Sequence, residues 1–215
     1  MAKDPTLRKH IREEVESTYV TDPASGNRLV DLQKLVALPL LQSFYTELMR
    51  RHVSINITRE VVKPGLKVAG YAVPVGALVQ APSEIAHYDE DVWGTEEHPA
   101  SEFWAERHLK YVDSGQVYEE TGLAKREAKY EMTGRAADFF PYGGGMAMCP
   151  GRHFAKQEIM LTLAMFASRF DVEFVEWLDM DGTKAGRPAK NDGRYVGAAG
   201  MPPDRDMKVR WRKVW

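Results

Sequence analysis

The only cysteine of the chain, Cys149, follows three consecutive glycines in the stretch YGGGMAMCPGR at 142–152. Gly143, Gly144 and Gly145 carry no Cβ, so this backbone can take positive φ and approach a flat object closely; Gly151 does the same just beyond the sulfur. Pro150 suits the first position of a helix. Cys149 is therefore expected at the N-cap, where the dipole and the amides of Gly151 and Arg152 favour a thiolate. Three chemistries stay open from the loop alone. One is a buried structural thiol, the usual state of a free cysteine. Another is a nucleophile, which would need a base such as His153. The third is an axial thiolate to haem iron, with the glycines giving a planar ligand room.

A second candidate is the pair Glu47 and Arg50 in Glu47-Leu48-Met49-Arg50. Residues three apart share a helix face, so the two charges can meet. Taken alone, such a pair is usually a solvated surface feature worth little. The six histidines are scattered without metal-ligand spacing, and one cysteine cannot build a four-cysteine site, so a zinc enzyme is not expected.

These residues need elements to hold them. Asp4-Pro5 starts a helix carrying Leu7, Ile11 and Val15 at helical spacing. After the turn-rich TDPASGNR, a second helix spans about 32–51, with Pro39 the place for a break. Leu41, Phe44, Tyr45 and Leu48 form its apolar stripe. A small sheet follows at about 53–82, where β-branched runs alternate with Pro-Gly turns. Residues 83–98 read as a short helix and a turn. The polar, weakly periodic stretch at about 109–138 reads as a surface meander. The glycine loop occupies 142–151. A helix at about 151–169, apolar on most sides through Phe154, Ile159, Met160, Leu163, Phe166 and Ala167, is expected to be buried. Short extended pieces end in MKVRWRKVW. The fold class is mainly α with small β-sheets (α+β), in one domain.

Composition narrows the function. With 215 residues, 44% of them hydrophobic, the chain can bury a core. A net charge of −2 offers no global attraction for nucleic acid or an anionic membrane. The charged N-terminus lacks the apolar stretch of a secretory signal. LVALPLL and IMLTLAMFAS fall well short of the ~20 residues of a membrane span. One cysteine excludes an internal disulfide framework and suits a reducing compartment.

The stretch FFPYGGGMAMCPGRHFAKQEI resembles the haem-binding loop and following helix of cytochromes P450, whose pattern is Phe-x-x-Gly-x-[Arg/His]-x-Cys-x-Gly. Gly145, Cys149 and Gly151 match; Tyr142 replaces the Phe, and Ala147 the basic residue that pairs with a haem propionate. Glu47 and Arg50 match the family's Glu-x-x-Arg. FWAERH at 103–108 is similar to Phe-x-Pro-x-Arg-Phe, keeping Arg107 but departing at Ala105 and His108. The order of these motifs also fits, and the resemblance covers essentially the whole chain. It implies the C-terminal portion of the P450 fold, about half of a complete member, with no membrane anchor in this stretch. Cys149 would ligate haem b, and Glu47, Arg50 and Arg107 would form a buried triad, since buried charges need mutual partners. Arg59, or less directly His87, would meet a propionate. Ser54, Ile55 and Asn56 would touch substrate, with a second contact near Val196–Ala199. The uncharged residue 147 and Cys-Pro-Gly-Arg are similar to the sterol hydroxylase and prostacyclin synthase branch and related fungal enzymes. The implied activity is monooxygenation of a lipophilic small molecule, fed by NADPH–cytochrome P450 reductase at the cytoplasmic face of the endoplasmic reticulum. A reductase-independent isomerase and a fragment without catalysis of its own are the alternatives.

Overall fold

The computed structural model describes residues 2–117, 124–135 and 137–214. Helix α1 (Pro5–Glu16) begins where Asp4 accepts a hydrogen bond from the Leu7 amide at 2.9 Å, with Pro5 at the first position. A hairpin of β1 (Tyr19–Thr21) and β2 (Arg28–Val30) leads to α2 (Leu32–Leu35), capped by Asp31. The helix then breaks at the expected place and restarts as α3 (Pro39–His52). No side chain of its own caps α3. Glu14 of α1 does so, accepting from the Leu40 and Leu41 amides at 2.9 Å each, and so satisfies donors that a helix start leaves unpaired.

Strand β3 (Val53–Glu60) runs directly out of α3. The small hairpin β4 (Lys67–Val68) and β5 (Tyr71–Ala72) precedes β6 (Leu78–Pro82), and the short helices α4 (Ser83–His87) and α5 (Glu90–Trp93) follow. β3 is central in a three-stranded antiparallel sheet, between β6 and β10 (Ala198–Gly200).

Two expectations of the sequence change here. Leu109–Val117 (β7) and Ala124–Tyr130 (β8) form an antiparallel ribbon where a meander was expected. The ribbon pairs charged residues such as Asp113 with Arg126, so neither face is apolar enough to show a strand's alternation. Residues 118–123 and 136 of that stretch lie outside the described residues. Second, α6 (Arg152–Arg169) is not buried all round. Met160, Ala164 and Ala167 are fully buried against α1 and α3, but Phe154 is 71% exposed and Phe166 is 44% exposed. Phe166 rests on Phe170, with 5.6 Å between ring centroids, while Phe154 stays largely in solvent.

α6 ends at Phe170, and β9 (Phe170–Leu178) pairs with β11 (Asp206–Lys213). Arg12 of α1 closes the end of α6, donating to the carbonyls of Ala167 and Phe170 at 2.9 and 3.0 Å. The core therefore sits between α1, α3 and α6, around Ile11, Val15, Leu41, Phe44 and Met160. Among the described residues, no helix is long and apolar enough to cross a membrane.

Candidate functional site

The helical spacing of α3 brings Glu47 and Arg50 together inside the protein. Both side chains are fully buried. Glu47 Oε1 accepts from Arg50 Nη2 at 2.7 Å, and Oε2 from Arg50 Nε at 2.8 Å. Oε1 also takes the Trp104 amide and Arg107 Nε, each at 3.1 Å. The two guanidinium groups spend their remaining donors on carbonyls. Arg50 donates to His87 and Glu102, and Arg107 to Trp93, His98, Pro99 and Glu102. The three charges form one buried cluster, the arrangement that the family resemblance implies. Burial pushes the Glu47 carboxyl up, but the bonds from Arg50, the approach of His108 and the Trp104 amide outweigh it and hold it well below the usual carboxylate range.

His108 is a fourth member that the sequence reading noted only as a departure. It is 5% exposed, and its Nε2 stands 3.3 Å from Glu47 Oε2 without the alignment of a hydrogen bond. Burial lowers its pKa, and the neighbouring Glu47 opposes that shift.

On the other side of α3, residues of β3 with odd numbers face the glycine loop. An added Cβ on Gly143 would lie 4.0 Å from Ile55 Cδ1, and one on Gly144 only 3.2 Å from Ile57 Cδ1. On Gly145 it would lie 3.9 Å from Arg59 Nη2. Gly143 and Gly145 have φ of +82° and +63°, a region that side chains disfavour. The glycine run is thus matched, position by position, to every second residue of β3. Arg59 ties the two together, with Nη2 donating to the Gly144 carbonyl at 2.9 Å.

The loop closes on itself. The Cys149 amide donates to the Tyr142 carbonyl at 2.9 Å, and the Tyr142 hydroxyl meets the Tyr45 hydroxyl of α3 at 2.8 Å. Gly151 is the residue that caps α6, so Cys149 stands two positions ahead of the cap and not at it. Its carbonyl, not its sulfur, takes the Arg152 amide, at 3.4 Å. The thiol is exposed. It opens into a cleft of about 740 Å³, within the range of about 300–1,000 Å³ common for cofactor and ligand sites. The walls are mainly apolar: Met49, Val53, Ile55, Ile57, Pro141 and Ile159, with Tyr142, Ala147, Ala155 and Ala199. Arg59 is the cation on its border.

Not every expected residue reaches this cleft. Ile55, Asn56, Tyr142 and Arg59 do, with Gly143 and Gly144. Gly145 and Gly151 do not line it. Gly151 has an ordinary φ of −80°, and an added Cβ would rest 3.9 Å from the Cys149 sulfur, so the backbone itself does not require glycine there. Ser54 alternates to the other face of β3, where it is buried and its hydroxyl accepts from the Gly197 amide at 3.0 Å. His87 is also buried. Its Nε2 accepts from the Phe140 amide at 3.2 Å and its ring stacks on Phe139, so it braces the approach to the loop from behind. Of the expected second contact, Ala199 lines the cleft with Gly200, and Val196 lies outside it.

A profile of the cytochrome P450 family matches residues 1–191. The chain belongs to the cytochrome P450 family. It is 52% identical over 212 residues to cytochrome P450 monooxygenase calL of Penicillium decumbens, covering 99% of this chain and 37% of that protein. Cytochrome P450 monooxygenase efuG of Hormonema carpetanum is 32% identical over 186 residues, covering 80% of this chain and 33% of its own length. The retinoic acid-bound cyanobacterial CYP120A1 is similar in fold, with a TM-score of 0.64 at 19% identity, over 99% of this chain and 40% of that one. This P450 chain therefore spans little more than a third of the curated relatives it matches.

Proposed function

We propose that this P450 chain carries the haem-thiolate part of a monooxygenase, with Cys149 as the axial ligand of haem b. One observation carries the reading. The lone thiol opens into a large apolar cleft between β3 and a loop whose glycines sit flush against that strand. The donor set suits the group: an unpaired soft sulfur, apolar walls for the ring, and a guanidinium at the border for a carboxylate. Bound through a thiolate, haem supplies oxygen chemistry that the electron-rich sulfur favours.

The protein's own residues hold and enclose. Tyr142 and the loop backbone position Cys149. Arg59 is the cation placed for a propionate, a role that Ala147 cannot take. Ile55, Asn56 and Ala199 border the space where a lipophilic substrate would lie. The relatives' names, monooxygenases of fungi, support oxygen insertion over reductase-independent isomerisation. Electrons would come from NADPH–cytochrome P450 reductase, at the cytoplasmic face of the endoplasmic reticulum, for a complete protein.

The test is the carbon monoxide difference spectrum of the reduced protein, for this chain and for one extended upstream with P450 sequence. A thiolate-shifted Soret band that disappears in Cys149→Ser is the expected result. The same band in Cys149→Ser, or bound haem without a thiolate signature, overturns the assignment.

A further inference from the structure

Tyr45 contributes more than packing to α3. It is 5% exposed, yet its hydroxyl has a partner, the Tyr142 hydroxyl at 2.8 Å. Tyr142 is joined in turn to Cys149 through its carbonyl, which accepts the Cys149 amide at 2.9 Å. From the far side of the loop, Lys156 of α6 lies over the Tyr45 ring at 5.8 Å and donates to Gln42 at 3.0 Å. Tyr142 precedes Cys149 by seven residues and Lys156 follows it by seven. Both flanks of the thiol thus rest on one ring of α3, the helix that also carries the Glu47 cluster.

We infer that Tyr45 is a positioning residue for Cys149, acting through the hydroxyl bond to Tyr142 that fixes the sulfur over the cleft. A Phe at position 142, as in the family pattern, could not make this bond, so the tether depends on this chain having tyrosine at both places. The hydroxyls are unequal. Tyr45 is buried and has lost water as an alternative partner, whereas Tyr142 borders the cleft. Removing the Tyr142 hydroxyl therefore leaves a buried group unpaired, while removing that of Tyr45 does not. Burial and the Tyr142 contact raise the Tyr45 pKa, which keeps its phenol protonated and able to share the bond.

This inference rests on Cys149 being the working thiol, but its first test needs no haem. Hydrogen exchange of the Cys149 amide in the full chain reads the opening of its bond to Tyr142. Tyr142→Phe should speed that exchange roughly tenfold, the size of one lost buried hydrogen bond. Tyr45→Phe should speed it less. The double variant should match Tyr45→Phe alone, because no stranded hydroxyl remains. Amides of the Met160 core should be unchanged in all three, and Tyr111→Phe, on the exposed ribbon, should leave Cys149 unchanged. Cys149 exchange within about twofold of the unaltered chain in both single variants, or effects that multiply in the double, would overturn the inference. With haem supplied, the same variants should weaken or shift the thiolate Soret band. If no variant and no parent shows that band, the haem assignment fails while the exchange result still judges the tether.

Discussion

Glu47 and His108 stand 3.3 Å apart inside the protein, each almost without solvent contact, in a cluster that already places two guanidinium groups on the one carboxylate. A protonated imidazole here would add a third cation to a single anion. Burial first, with smaller contributions from the Arg50 and Arg107 charges, outweighs Glu47 and lowers the His108 pKa, so the arrangement favours neutral His108.

His108→Phe places a larger, apolar ring in this packed site and should cost about 1–3 kcal/mol at pH 7.5. Its acid limb should be shallower. A histidine whose folded pKa is depressed binds a proton in the unfolded chain first, so stability falls as pH drops below the ordinary value near 6.5. Urea melts of both proteins between pH 7.5 and 5 measure the difference. Parallel acid limbs would show that His108 does not stay neutral in the fold.

His87 carries the same sign with a larger span. Burial first, then the nearby Arg50 charge, lowers its pKa to about 4. Between pH 6.5 and 4 the unfolded chain holds a proton that the folded chain does not. The linked loss approaches about 3 kcal/mol by pH 4, at about 1.4 kcal/mol per unit. The His87 resonances followed by NMR should show a mainly neutral ring down to pH 5. Titration of that ring near 6.5 in the folded protein contradicts the prediction.

The match between β3 and the glycine loop gives a coupled pair. Gly144→Ala places a methyl 3.2 Å from Ile57 Cδ1, tighter than a comfortable contact. The cost should be about 1–2 kcal/mol, as for modest overpacking. Ile57→Val removes that Cδ1, so Gly144→Ala/Ile57→Val should lose less than the sum of the two singles. Simple additivity in denaturant melts would mean that the loop and strand do not meet as described.

The exposed apolar side chains of α6 and the glycine loop should make this chain associate in solution. Phe154 is largely exposed, and Met146 of the loop is fully exposed. Exposed apolar groups in such number mark an interaction surface or an aggregation hazard. Phe154→Ser should reduce light scattering at a given concentration without lowering the unfolding midpoint by more than a degree or two. A large loss of midpoint would show that this ring packs within the folded chain after all.

Much of the site is legible in the sequence. Asp4-Pro5 marks a helix start because its capping chemistry is local, and Glu47 with Arg50 is forced onto one face by helix geometry. Residues whose role depends on distant chain were less visible. Nothing local says that Glu14 caps α3, or that His108, 61 positions along, will touch Glu47. The β7–β8 ribbon is not legible because its pairing charges leave no alternation, and the exposed part of α6 is not, because apolar composition does not show which side finds a neighbour.

Residue types and short spacings by themselves determined the family resemblance, the candidate thiol, the acid and base on one helix face, and the glycine run, because each rests on motifs of a few residues. Only the tertiary structure decided that Ser54 and His87 turn away from the cleft, that Ile57 and Tyr45 meet the loop, and that Gly151 rather than Cys149 caps α6. Those outcomes depend on how α3, β3 and the loop are registered against one another. That register comes from long-range packing and hydrogen bonding, which no short window of sequence contains.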